Sequence, residues 1–232
     1  MRWGRIKSSR FWRGAATHEE SIFRDREDAG RRLAERLLFY RDEDPVVLAL
    51  PRGGVPVGAE ISRALEAPLD VIIARKLGAP GQPELAVGAV APGGVRLINE
   101  RVVRWMGIPE DWIERSAEQE LEEVRRRMRR FRGGRPAPDI QDRTAILVDD
   151  GIATGMTAMA AIQAIRTANP RRIVLAVPVC AKETAGNLSR QVEDFVCLEI
   201  PADLWAIGLW YRDFHQIPDE EVVELLENTP GD

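Results

Sequence analysis

No apolar run in this chain of 232 residues approaches the ~20 residues that a membrane-spanning helix needs, so no membrane role is expected. Histidine occurs twice and cysteine twice, with no metal-ligand spacing among them, which disfavours a zinc-type centre. Cys180 and Cys197 sit in apolar runs and read as reduced core thiols, in keeping with a cytoplasmic protein. A Walker sequence is also missing, and with it the usual signature of nucleoside triphosphate hydrolysis. The formal net charge is -4, so no global basic field draws the molecule to nucleic acid or to anionic membrane. Repeats and low-complexity tracts are lacking too. What remains, 44% hydrophobic and 30% charged residues, is enough for one globular core.

The start of the chain is set apart by charge. Arg2, Arg5, Lys7, Arg10 and Arg13 occur before the first acid, Glu19, and the stretch lacks the apolar middle of a secretory signal. Residues 1–20 are read as a disordered basic extension, with a transit peptide or an upstream start codon as alternatives. A single domain is expected over residues 21–228.

Within that domain, helix signals open at Asp25, with Glu27 and Asp28 ahead of Ala29, Leu33 and Leu37 at four-residue spacing. Val46 to Leu50 is a short apolar run ending in Pro-Arg-Gly-Gly, and Val55 to Leu65 reads as a helix. Leu69 to Ala74 is a second run, ending at Arg75-Lys76 and a Gly- and Pro-rich loop. Val87 to Val90 and Val95 to Ile98 flank Ala-Pro-Gly-Gly as a hairpin. A long polar helix follows Pro109 and runs to about Phe131. From Thr144 the pattern alternates: strand to Val148, helix Thr157 to Ala168, strand Arg172 to Val179, helix Lys182 to Arg190, strand Phe195 to Leu198. Short β-rich runs alternating with helices imply a doubly wound α/β fold, mainly parallel, with helices on both faces. Ligands of such sheets bind beyond the C-terminal strand ends. That directs attention to Pro51 to Gly54, Arg75 to Pro83 and Asp149 to Thr157.

The third of these segments is the most specific. After Ala145-Ile-Leu-Val148 come Asp149-Asp150-Gly151-Ile152-Ala153-Thr154-Gly155-Met156-Thr157 and then a helix. Ala153, Thr154, Gly155, Met156 and Thr157 lead into a helix N-terminus, where free backbone N–H groups and the helix dipole favour a phosphate. The adjacent carboxylates of Asp149 and Asp150 can accept hydrogen bonds from vicinal hydroxyls and hold Mg²⁺ directly or through water. A phosphate and a diol on one molecule describe a ribose 5-phosphate.

Four apolar residues, two acids and Thr-Gly-x-Thr closely resemble the phosphoribosyl pyrophosphate (PRPP) signature of type I phosphoribosyltransferases. The resemblance runs from Phe23 to Leu226, and looks closest to an uncharacterised "predicted phosphoribosyltransferase" family. Its marks are Phe23-Arg-Asp-Arg, Leu50-Pro-Arg-Gly-Gly-Val-Pro-Val, Arg75-Lys76-Leu-Gly-Ala-Pro-Gly, Val148-Asp-Asp-Gly-Ile-Ala-Thr-Gly, and Phe214 with Asp219-Glu220-Glu221-Val222. It implies transfer of a 5-phosphoribosyl group from PRPP to a nitrogenous acceptor, with Mg²⁺ and release of pyrophosphate, as in nucleotide salvage. It also implies a flexible β-hairpin loop, a small hood over residues 199–217, and a homodimer. A regulator that binds PRPP without turnover would keep the same acids and phosphate loop.

By the same resemblance, Arg52, Gly53 and Gly54 form the pyrophosphate loop, and Lys76 neutralises the leaving group. A strand-to-helix turn and an exposed strand-end cation are the plainer readings of these two stretches. Hypoxanthine–guanine enzymes commonly carry an acid just before the Thr-Gly of the phosphate loop; here that position is Ala153, as in adenine phosphoribosyltransferases, which use a loop Glu instead. Glu84 is the corresponding acid–base candidate, or else a solvated loop residue. Trp205, Trp210, Tyr211 and Phe214 form the acceptor hood, stacking on a planar base or packing the hood itself. Finally, seven arginines crowd into Arg125 to Arg135. Polyphosphate or nucleic acid is one reading. Ion pairing is the other, since Glu122 and Glu123 precede Arg126 and Arg127 at i,i+4.

Overall fold

The computed structural model describes residues 22–229, so the expectation for residues 1–20 lies outside the described residues. The first helix, α1 (Arg26–Leu37), starts where the sequence signals it: the Asp25 side chain accepts from the Asp28 backbone N–H at 2.7 Å. Strand β1 (Pro45–Ala49) follows, then helix α2 (Gly54–Leu65) and the short strand β2 (Leu69–Val71). Strands β3 (Arg75–Ala79), β4 (Gln82–Ala91) and β5 (Val95–Ile98) precede helices α3 (Glu100–Met106) and α4 (Glu110–Arg132). The remaining elements are β6 (Thr144–Val148), α5 (Met156–Arg166), β7 (Arg172–Val179), α6 (Lys182–Leu188), β8 (Asp194–Glu199) and α7 (Asp219–Glu227).

The main sheet has the order β2-β1-β6-β7-β8 with every neighbouring pair parallel. Alternation along the strands divides the core into two apolar layers. Val47, Ala49, Ile146 and Val148 face α1, α2, α4 and α7, while Val46, Leu48, Ala145 and Leu147 face α5 and α6. This is the doubly wound arrangement that the uninterrupted apolar runs imply.

The Gly- and Pro-rich stretch after Lys76, a loop by its local sequence, forms the β-hairpin that the family resemblance implies. It is an antiparallel hairpin, β3 on β4, and β4 continues to pair with β5 as the Ala-Pro-Gly-Gly signal indicates. The periodicity is hidden because the start of β4 is exposed and contains Pro83. Gly78 opposite it makes the pairing possible: a Cβ there would fall 2.5 Å from the Pro83 carbonyl oxygen. The register shifts on both sides of Gly78.

The arginine-rich end of α4 is consumed by internal contacts. Arg126 and Arg127 both reach Glu123, at 2.6 and 2.7 Å, and these two guanidinium groups pull its carboxyl down to about 2. Arg125 and Arg129 reach Glu122, and Arg130 reaches Asp219 at 2.8 Å. Arg132 grips the buried Asp70 of β2 with two nitrogens, at 2.6 and 2.9 Å, and Arg135 caps the Leu226 carbonyl of α7 at 2.7 Å. The cluster therefore cements α4 to β2 and α7, and the polyphosphate reading of this helix has no free cation to rest on among the described residues. Arg132→Ala leaves Asp70 buried without its counter-charge and is expected to lower stability by about 3 kcal/mol. Replacing both residues by apolar ones of similar size costs far less. Urea unfolding of the single and double variants measures the difference.

Candidate functional site

The chemistry-bearing loops leave β1 and β6, which are neighbours in the sheet, at the same C-terminal edge. After β1 the chain turns through Pro51-Arg52, joined by a cis peptide bond, and enters α2 at Gly54. Two glycines let this turn lie directly on the end of β6. A Cβ on Gly54 would meet the Val148 carbonyl oxygen at 2.8 Å, and one on Gly53 would meet Asp150 Oδ2 at 1.9 Å. Any larger residue at position 53 displaces the carboxylate.

Beyond β6, Asp149 Oδ1 accepts from the Asp150 backbone N–H at 2.9 Å. Asp150 is 8% exposed. Its Oδ2 accepts from Arg26 Nε at 2.8 Å, and its carbonyl oxygen accepts from the Tyr211 hydroxyl at 2.5 Å. Burial and the neighbouring charge of Asp150 push the Asp149 carboxyl well above the ordinary carboxylate range. Burial raises Asp150 too, against the opposing pull of Arg26. Further along, Ile152 bridges to Cys180, and the Thr184 hydroxyl donates to the Ala153 carbonyl at 2.5 Å. Gly155 adopts φ +76° at the N-cap of α5, and no side chain caps the helix. Its first backbone N–H groups are thus left for a ligand. Ala153 and Thr154 are exposed, and Met156 and Thr157 half-buried.

Arg26, Arg52, Gly53 and Asp150 line a cavity of about 390 Å³ together with the stretch from Phe214 to Ile217. Arg26 is the member that sequence reasoning missed. It opens α1 yet is 7% exposed, and its guanidinium lies 3.8 Å from the Phe214 ring centroid while Nη1 donates to the His215 carbonyl at 2.8 Å. Arg52 lies 3.7 Å from Asp219 at the start of α7. His215 Nδ1 is 3.1 Å from Asp213 Oδ1, a contact that lowers the Asp213 carboxyl.

Other candidates lie apart from this cavity. Lys76 Nζ donates to Glu84 Oε2 at 3.1 Å across the β3–β4 hairpin, and the Glu84 side chain is 96% exposed. Neither residue lines the cavity. Of the four aromatic residues, Tyr211 is buried with its ring 5.3 Å from that of Phe23, and burial raises its hydroxyl pKa. Phe214 packs between Tyr211 and Arg26, Trp210 is half-buried, and Trp205 is 83% exposed.

The same observations test whether Mg²⁺ fits. Among the described residues no group of three or more potential metal-ligating side chains occurs, so these residues alone build no cage. Two adjacent, desolvated carboxylates instead favour a proton or a cation, and Mg²⁺ commonly takes one or two carboxylates while substrate phosphates and water complete its shell. Asp149 and Asp150 fit that pattern.

A parallel sheet with an acid pair after β6, a glycine-lined turn after β1 and an uncapped helix beyond the acids defines a class of α/β domain whose polar loops gather at one sheet edge. The model of the phosphoribosyl transferase domain family matches residues 19–212, and the chain belongs to that family. Two Mycobacterium tuberculosis proteins, from strains CDC 1551 / Oshkosh and ATCC 25618 / H37Rv, are provisionally named phosphoribosyl transferases. Each is 45% identical over 211 residues, 91% of this chain and 48% of theirs. The chain thus spans about half the length of these curated relatives. The crystal structure of TT1426 from Thermus thermophilus is 42% identical, with a TM-score of 0.77, over 90% of this chain and 99% of that one.

Gly53→Ala is expected to destabilise the domain by about 1–3 kcal/mol, because the Asp150 carboxylate must leave its place beside Arg26. Gly186→Ala, where a Cβ meets nothing within 4 Å, is the control and should be neutral or mildly stabilising. Thermal unfolding of both variants separates the two.

Proposed function

We propose that this chain binds PRPP with Mg²⁺ and transfers its 5-phosphoribosyl group to a nitrogenous acceptor, releasing pyrophosphate. The observation that carries the proposal is one cavity joining Asp150 after β6 to Arg52 and Gly53 after β1. The uncapped α5 N-terminus belongs to the same acid-bearing loop. In this reading Asp149 and Asp150 orient the ribose hydroxyls and hold the ion, with water between. Ala153 to Thr157 receive the 5-phosphate, and Arg52 with the backbone of Gly53 and Gly54 receives pyrophosphate. Mg²⁺, when bound, neutralises charge building on the leaving group. Lys76 would join from the hairpin, a movement that frees it from Glu84. Glu84 is the acid–base candidate in the same motion, and Glu84→Gln should then lower turnover at least tenfold; unchanged turnover removes it from the mechanism. A homodimer is part of the proposal by family analogy.

Incubating the protein with PRPP, Mg²⁺ and a panel of nucleobases, while following pyrophosphate, tests the activity. Release with one acceptor supports transfer. Tight PRPP binding without release for any of them would favour a regulator that only senses PRPP. Asp149→Asn combined with Asp150→Asn should abolish binding under either reading, and surviving affinity would remove the assignment of the site.

The raised carboxyls add a pH dependence. Cation binding must displace a proton from the Asp149–Asp150 pair, so Mg²⁺-dependent PRPP affinity should rise with pH and level off once the pair is ionised. Calorimetric titrations at several pH values, in buffers of differing ionisation enthalpy, report the proton release directly.

A further inference from the structure

Within the PRPP-binding reading, one charged residue has no task. Arg26 occupies the first turn of α1, where the helix dipole disfavours a cation, and it is buried there. Each of its contacts joins a different part of the site. Nε holds Asp150, Nη1 holds the hood backbone at His215, and the guanidinium face covers Phe214. Its two hydrogen bonds to described residues run through Nε and Nη1, and Arg26 also lines the cavity.

The preceding residues tie the same parts together through the backbone. Phe23 N–H donates to the Trp210 carbonyl, Arg212 N–H donates to the Phe23 carbonyl and Asp213 N–H donates to the Arg24 carbonyl, each at 2.9 Å. The Phe23-Arg-Asp-Arg motif is therefore a strap under the hood, and Arg26 links it to the acid pair.

We propose that Arg26 is a positioning residue that couples occupancy of the Asp150 site to the placement of the hood over residues 211–217. In this reading a sugar-phosphate bound at Asp150 offers oxygen acceptors to the Arg26 guanidinium, which lines the same cavity. A guanidinium that gains a partner on the donor is held more firmly, and it holds His215 and Phe214 with it. The hood tightens only after the donor is in place, and the acceptor site is formed last. The coupling is reciprocal: whatever seats the hood strengthens donor binding by the same factor.

Amide hydrogen exchange of the 211–217 segment, measured with and without PRPP and Mg²⁺, tests this. The Arg212 and Asp213 amides, whose acceptors are defined, are the reporters. In the unmodified protein the donor should slow their exchange about tenfold. In Arg26→Gln the donor should still bind, more weakly by calorimetry, but no longer slow these amides. Arg26→Lys, which keeps the charge but not the fork, should restore part of the affinity and little of the slowing. A merely structural role for Arg26 would change exchange equally with and without donor. Slowing that persists in Arg26→Gln, or donor binding with no response of the hood in the unmodified protein, overturns the coupling while leaving the donor site intact. Absence of any PRPP binding to the unmodified protein overturns both.

Discussion

A buried ion pair between α1 and the end of β6 holds the site together. Asp150 is wedged between Arg26 and Gly53, with Tyr211 anchored on its carbonyl. Removing water from two opposite charges is costly, and the cost is offset only when geometry and further hydrogen bonds are good. Here the surroundings supply them: the His215 carbonyl takes a second Arg26 nitrogen, and the Phe214 ring covers the guanidinium face. The turn after β1 must then be glycine, the hood must place a carbonyl and a ring over α1, and α1 must begin where it does.

The charge arrangement elsewhere serves architecture. The arginines at the end of α4 are each matched by an acid or a carbonyl of this same chain. Exposed pairs on one helix contribute little individually, whereas Arg132 on buried Asp70 fixes α4 against the edge strand β2. Asp219 is shared between Arg130 and Arg52, so the start of α7 also steadies the turn that enters the cavity.

Much of this was legible in the sequence. The central strands β1, β6 and β7 lie where apolar runs predict them, since burial on both faces removes polar residues from such strands, while the edge strands β2 and β8 carry Asp70 and flanking acids. The Asp149 to Thr157 segment was readable because strand, acids, small residues and helix follow one another locally. What escaped depended on distant partners. The start of β4 is polar and contains Pro83, so the hairpin is legible through the family resemblance and not through local periodicity. Glu84, proximal in the loop reading, extends into solvent beside Lys76. Helix α7, with three acids in its first turn after Pro218, was not among the predicted elements. Arg26 left a trace as well: it shares the stripe of Ala29, Leu33 and Leu37 on α1, where a solvated cation does not belong. Only the fold reveals that its partner is 124 residues away.

The strap formed by Phe23 to Arg26 has a consequence for how the protein is made. Arg26 meets Asp150 across 124 positions and His215 across 189. During synthesis the acids and the glycine turn emerge well before the hood that closes the cavity. Until then Arg26 lacks the His215 carbonyl and Asp150 lacks the Tyr211 hydroxyl. The sheet can assemble strand by strand, but the cavity closes through contacts of large sequence separation, which form more slowly than local ones. The cavity is thus complete only once residues 211–217 have joined Arg26 and Asp150.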